Sequence, residues 1–169
     1  MAYHRSLGTT SILCLFLGVL GCRVSLASGS DAISISGAVE HPLSLSLAAL
    51  KREPATTENV SLMTERGALA ASYTGVLLWT LLQEAVIKST PGVKNDILRH
   101  TVVVTGSDGY TAVLSVGEID PKFGGDRAMI AYAVDGKPLS RRRGFARLIV
   151  PTDKAAGRAV FGIASITVR

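Results

Sequence analysis

Few residues in this sequence are of types that could do chemistry, and they lie far apart along it. Residues 102–120 read VVVTGSDGYTAVLSVGEID. Asp108-Gly109 between two β-branched runs is a hairpin turn in which Gly109 can take positive φ. Tyr110, a large ring with a polar tip at the mouth of that turn, is not something hairpin geometry requires. Arg147 opens the apolar run Arg147-Leu148-Ile149-Val150, and a guanidinium at the head of a buried strand needs either a structural carboxylate or an anionic ligand. Arg141-Arg142-Arg143 is the one dense cluster of charge; it could meet phosphate or an anionic partner, or simply stay solvated on a loop. His41 lies between a glutamate and a proline and His100 stands before a strand, so neither has the spacing of a metal pair. No Ser-His-Asp motif, phosphate-cradling Gly-rich loop or base-stacking pattern is present.

A mixed set of short elements has to position these residues. Ile33 and Ile35 alternate with Ser34 and Ser36 in a first strand that ends at Gly37, and His41-Pro42 turns the chain. Ser46 caps a short helix over Leu47 to Lys51 that Pro54 stops. Val60 to Met63 and Leu69 to Tyr73 read as strands. Thr74 is placed to cap the best helix, GVLLWTLLQEAVI, in which Leu78, Leu81, Leu82 and Ala85 form an apolar stripe. Thr101 to Thr105 pairs with a return strand carrying Tyr110, Ala112, Leu114 and Val116 on one face, and Ser115 with Glu118 has capping-box spacing. Beyond it come a strand over Met129 to Val134, a turn at Asp135-Gly136-Lys137-Pro138, a buried strand over Arg147 to Val150 and a closing strand over Val160 to Val168.

A basic start at Arg5, an apolar run from Ile12 to Leu20 and the small-residue site Ser25-Leu26-Ala27 form the pattern of a secretory signal over residues 1–27. The run is too short to span a bilayer. Residues 28–169 then form a single domain without repeat or linker, long enough for a real core. Both cysteines, Cys14 and Cys22, fall in the signal, so the exported chain is expected to have no disulfide and no cysteine-based metal site. Val19-Leu20-Gly21-Cys22 approximates a lipobox, which gives a membrane-tethered lipoprotein through Cys22 as the alternative to a periplasmic or secreted protein. Loss of Arg5 and Arg23 takes the 18 basic residues to 16 against 13 acidic ones, a net charge of +3. That is too little to argue for nucleic acid.

Taken in order, GVLLWTLL, GSDGYTAVLSVGEID, IAYAVDGKPL, RGFARLIVPTD and RAVFGIASITV resemble the molybdopterin-binding domain of the sulfite oxidase type, in its short, exported, stand-alone form, over about residues 33–168. The resemblance implies an α+β fold of mixed and antiparallel sheets curled around a pocket, and molybdopterin as cofactor. In such enzymes a cysteine thiolate completes the soft ligand set of the metal. The strand where the family places it corresponds to about Ser61 to Thr64, which reads Ser-Leu-Met-Thr and has no thiol. Thr64 or Ser61 offers an oxygen there and Met63 a thioether, or each is an ordinary strand residue. Asp135 stands where the family has an amide, and the basic residues expected near the closing strand reduce to Arg158. Arg147 matches the family's arginine, in a region that contributes to the cofactor pocket.

The residues expected to face the cofactor are therefore Asp108, Tyr110, Arg147, Thr64 and Arg143, with no protein ligand to a metal and no catalytic residue assigned. Two functions follow from the resemblance and its departures. One is a non-catalytic module binding a pterin, another anionic small molecule or a partner protein; the other is a molybdopterin-dependent oxidoreductase that holds its cofactor without a protein thiolate and passes electrons to a periplasmic redox partner. Neither involves nucleic acid, nor a membrane span once the signal is removed. Mass analysis of the N-terminus of exported protein tests the processing: the expected start is near Ser28, a lipidated Cys22 would show the tethered form, and a retained Met1 would refute export by cleavage.

Overall fold

Alternation of apolar and polar residues builds a first sheet from both ends of the described chain. The computed structural model describes Met1, residues 32–140 and residues 143–169. The expected signal with its two cysteines, the cleavage site, and Arg141 and Arg142 lie outside the described residues. Strand β1, Ala32–Gly37, buries Ile33 and Ile35 and pairs on one side with β2, Leu43–Ser46, in antiparallel register. On its other side it pairs in parallel with β10, Ile163–Val168, which in turn pairs antiparallel with β5, Thr101–Gly106. The hairpin partner of β5 is β6, Thr111–Ser115, giving the order β2-β1-β10-β5-β6. Ser46 caps helix α1, Leu47–Leu50, by accepting from the Ala49 amide.

The second sheet is built on a long hairpin. Strand β3, Ala55–Thr64, pairs with β4, Gly67–Leu77, without a register shift. Strand β7, Met129–Val134, adds to the inner part of β4, and β8, Lys137–Pro138, and β9, Arg147–Ile149, share the far edge of β7. Val76, Ile130 and Leu148 join the first sheet's residues and Leu78, Leu81, Leu82 and Ala85 of helix α2, Leu78–Ala85, in one core. The opposite face of the second sheet carries a smaller core of Val60, Leu62, Tyr73, Met129, Ala131 and Ile149. This is the expected α+β fold of mixed and antiparallel sheets, and both sheets are open, with free edges, rather than closed around a cavity.

Several boundaries differ from the sequence-based expectation; the strands expected over Val60 to Met63 and Leu69 to Tyr73 extend over Ala55–Thr64 and Gly67–Leu77. Thr74 does not cap α2: its hydroxyl bonds that of Thr57 across the hairpin at 2.9 Å, and Gly75 and Val76 are held in the sheet by Ala131 and Ile130. The helix therefore begins at Leu78, with Leu77 as an N-cap that makes no side-chain bond. It also ends early, at Ala85, because Val86 turns to φ 55° and Ile87 pairs with Val39. The closing strand begins at Ile163 rather than Val160, since Gly162 at φ 55° breaks the extended run. The capping box forms as expected in helix α3, Val116–Ile119, where the Ser115 side chain and Glu118 satisfy each other's backbone amides.

The Asp108 turn closes β5 onto β6 with Gly109 at φ 84° and open space where a Cβ would sit. The cost of a side chain there is conformational only. Gly109→Val is expected to lose about 1–2 kcal/mol in urea denaturation, since an L-residue is strained at this φ, and Gly109→Asn is expected to lose less. Equal losses would mean that something other than positive φ fixes the turn.

Candidate functional site

Arg147 heads β9 beside β7, and its burial is the least expected feature of the chain, at 8 % exposure. The guanidinium donates from Nη1 to the hydroxyl of Tyr73 at 2.8 Å and stacks on the ring of Phe161, 3.9 Å from its centroid. No carboxylate pairs with it among the described residues, and its Nε is buried without a hydrogen-bond partner. Of the two partners open in the sequence, the structural carboxylate is not found among the described residues, and the protein holds the cation with aromatic groups. Removal from water pushes its pKa below the ordinary value of an arginine; the Tyr73 oxygen opposes this and the nearby charge of Arg143 reinforces it.

Arg143 reaches the same aromatic ring, its guanidinium carbon 4.9 Å from the Phe161 centroid. Two positive groups are thereby gathered on one phenyl ring. The backbone permits this because glycines cross: a Cβ on Gly144 would lie 2.4 Å from Gly162 Cα, and one on Gly162 would lie 2.6 Å from the Arg143 carbonyl oxygen. Both glycines also have positive φ. The Ser107 amide donates to Gly162 O at 2.9 Å, which brings the β5–β6 turn to the same crossing.

Asp108 and Tyr110 sit on that turn with their polar groups engaged within the protein. Asp108 Oδ1 accepts from the Tyr110 amide at 3.0 Å. The Tyr110 ring is half exposed, and its hydroxyl donates to Gly157 O at 2.5 Å. Local hairpin geometry gave no reason for an aromatic hydroxyl; the reason lies 47 residues away, in the 3-10 turn Ala156–Arg158. The same turn is clamped by Arg158, which bonds Asp153 at 2.5 and 3.0 Å and Glu118 at 2.7 Å. Burial alone would raise the Glu118 carboxyl, but the Ser115 amide and Arg158 outweigh it and hold it below its ordinary value. Arg158 is correspondingly raised, chiefly by Asp153.

Thr64 stands apart from this cluster in its bonding. Its hydroxyl donates to Gly67 O at 2.8 Å and accepts from the Arg66 amide at 3.2 Å, so it serves the β3–β4 turn. A shallow groove of about 420 Å³ is lined by Asn59, Val60, Ser61, Ala70, Ala71 and Ser72 and includes none of the expected site residues. Contacts thus join Arg143 and Arg147 through Phe161, and bring the Asp108-Tyr110 turn to the same glycine crossing, while the Thr64 hydroxyl is bonded within its own turn. The structure adds Phe161 and Tyr73, whose roles local sequence did not reveal. The only trace of them was Phe161 beside Gly162 in the RAVFG segment.

A family model described as the oxidoreductase molybdopterin binding domain matches residues 27–169. Among solved structures, the chain is similar to the sulfane dehydrogenase SoxCD from Paracoccus pantotrophus, with a TM-score of 0.66 and 22% sequence identity. The match covers 86% of this chain and 39% of that one, so the chain spans well under half the length of the protein it resembles. No curated protein matches the sequence.

The Tyr110 hydroxyl gives a test of how the turn is held. Tyr110→Phe is expected to cost about 0.5–1.5 kcal/mol, the worth of one hydrogen bond, and to raise amide exchange in residues 153–158 while leaving the rest unchanged. Global unfolding would make the hydroxyl essential to the fold; unchanged exchange would show that Arg158 alone holds the segment.

Proposed function

This chain belongs to the oxidoreductase molybdopterin-binding domain family, and from that premise we propose that it is an exported member that binds an anionic small molecule or a partner through Arg147 and Arg143 without carrying out thiolate-ligated molybdenum chemistry. The observation that supports this is Arg147, a buried guanidinium with an unpartnered Nε, beside Arg143 and with no carboxylate partner among the described residues. A buried cation without a counter-ion is costly. An oxyanion placed against Nε would satisfy the donor and offset the repulsion between the two arginines in one contact.

Molybdopterin meets half of this description. Its phosphate is an anion of the kind that Arg147 and Arg143 would hold, and Phe161 offers a flat apolar surface beside them. The metal's side fits poorly. Residues 28–169 contain no cysteine, and Thr64, in the family's ligand strand, has a hard oxygen already bonded to the hairpin turn. A bound pterin would supply oxo-molybdenum redox chemistry; the one soft donor of the Ser61 to Thr64 strand is the thioether of Met63, an exposed side chain on β3 rather than a thiolate.

The second reading, an oxidoreductase that retains the cofactor without a protein thiolate and delivers electrons to a redox partner, is favoured by the family match. In both readings Arg147 and Arg143 bind and orient the anion, and the Asp108-Tyr110 turn fixes the neighbouring backbone.

Two measurements decide between them. Protein exported from a host that makes the cofactor is assayed for molybdenum by elemental analysis and for pterin by fluorescence after oxidation. The expected result is no stoichiometric metal and no sulfite-dependent electron transfer; both together would overturn the proposal, and metal or pterin without that activity would favour the second reading. Titration with inorganic pyrophosphate tests the anion site itself. Arg147→Gln is expected to weaken binding roughly tenfold or more, for loss of a charge-assisted bond of about 1.5–3 kcal/mol. Arg143→Ala, at an exposed position, gives a smaller loss without endangering the fold.

A further inference from the structure

The hairpin of β3 and β4 extends beyond the rest of its sheet. β7 pairs with β4 only from Tyr73 to Leu77, whereas β3 follows β4 through the whole ladder from Ala55 to Thr64. β3 is the terminal strand, and its outer side is covered only near one end, where the Met63 amide donates to Lys154 O at 2.9 Å and Met63 bridges Ala155. In an antiparallel strand, alternate residues direct both main-chain groups to the same side. Since Met63 points outward, Thr57, Asn59 and Ser61 do too, and no partner on that side takes their main-chain groups among the described residues.

Proteins normally protect such an edge with lysine, proline, a bulge or a covering segment. Between Thr57 and Ser61 there is no lysine or proline, the β3–β4 ladder has no register shift, and all three outward residues are exposed and uncharged. The one charge in β3, Glu58, is held by Arg127 at 2.5 Å. The hairpin's other free margin is shorter, because Ser72 of β4 is tied to Asp135 by bonds of 2.9 and 2.7 Å.

We propose that this edge is a self-pairing surface, occupied by β3 of a second copy of the chain lying antiparallel across a two-fold axis at Asn59. Thr57 then faces Ser61 of the other copy, Asn59 faces Asn59, and about six main-chain hydrogen bonds form, two per closely bonded pair. Charge and occupancy select this register. A shift of two residues one way sets Glu58 against Glu58, and a shift the other way sets Thr57 against Met63, whose amide Lys154 already holds. At the Asn59 axis, Glu58 faces Val60 and no charge meets its like. The resulting sheet runs continuously through both copies, and the proposal is independent of what the arginine cluster binds.

Sedimentation velocity on the purified protein, from about 1 µM to about 500 µM to cover weak association, is expected to show a twofold rise in mass. Asn59→Lys places like charges across the axis and is expected to keep the protein monomeric throughout. The double variant T57K/S61E sets opposite charges against each other twice and is expected to dimerise at lower concentration than the parent. Amide exchange supplies a readout that misfolding would not mimic: concentrating the parent protects Thr57, Asn59 and Ser61 several-fold and leaves Glu58 and Val60, already bonded to β4, unchanged. A monomer at every concentration, a dimer indifferent to Asn59→Lys, or protection without this alternation would overturn the proposal. So would a monomer whose edge pairs only with a strand from a different protein.

Discussion

A guanidinium taken out of water, with no carboxylate beside it among the described residues, is the constraint around which this protein is arranged. Arg147 is supported by Tyr73 from β4 and by Phe161 from the segment leading into β10, so one side chain joins residues anchored in both sheets. The Arg147–Phe161 bridge makes the same connection through the main chain. The crossing of Gly144 and Gly162 then brings Arg143 onto the same ring. Aromatic faces stabilise cations without neutralising them, which preserves positive potential at the junction where a carboxylate would have cancelled it.

Around that junction the protein spends its acidic groups elsewhere. Asp153 and Glu118 both go to Arg158, and Asp108 caps its own turn. The neighbouring segment is thereby tied by ion pairs in which two carboxylates share one guanidinium, whereas no ion pair holds Arg143 or Arg147 among the described residues. This division is what membership of a cofactor-binding family leads one to expect on the anion side. The Thr64 hydroxyl, at the end of β3, is committed to its own hairpin turn.

Local patterning made most of the framework legible. Ile33 and Ile35, the α2 stripe, the Asp108 turn and the Ser115 capping box all follow from periodicity and short-range hydrogen bonding, and each occurs where those rules place it. The misplaced start of α2 shows why others failed. Thr74 is a good cap by type, but a cross-strand partner at Thr57 and the pairing of β7 outcompete a helix terminus, and neither is visible within a few residues of Thr74. The site divides in the same way. Arg147 stands out as a charge in an apolar run, whereas Phe161, Tyr73 and the Tyr110–Gly157 bond depend on contacts between residues tens of positions apart.

The placement of β10 bears on how the molecule is made. It lies between β1 and β5, parallel to one and antiparallel to the other, so β1 has a partner only in β2 until residues 163–168 arrive. During synthesis at about 5–20 residues per second, the first sheet cannot close until β10 is made, and its central β1–β10 pairing then joins residues nearly a whole domain apart, a non-local contact that is slow to form. Folding of this sheet is thus deferred rather than progressive. The second sheet and the β1–β2 and β5–β6 hairpins need no residue of β10, so it is the joining of the two hairpins into one sheet that waits for the end of the chain.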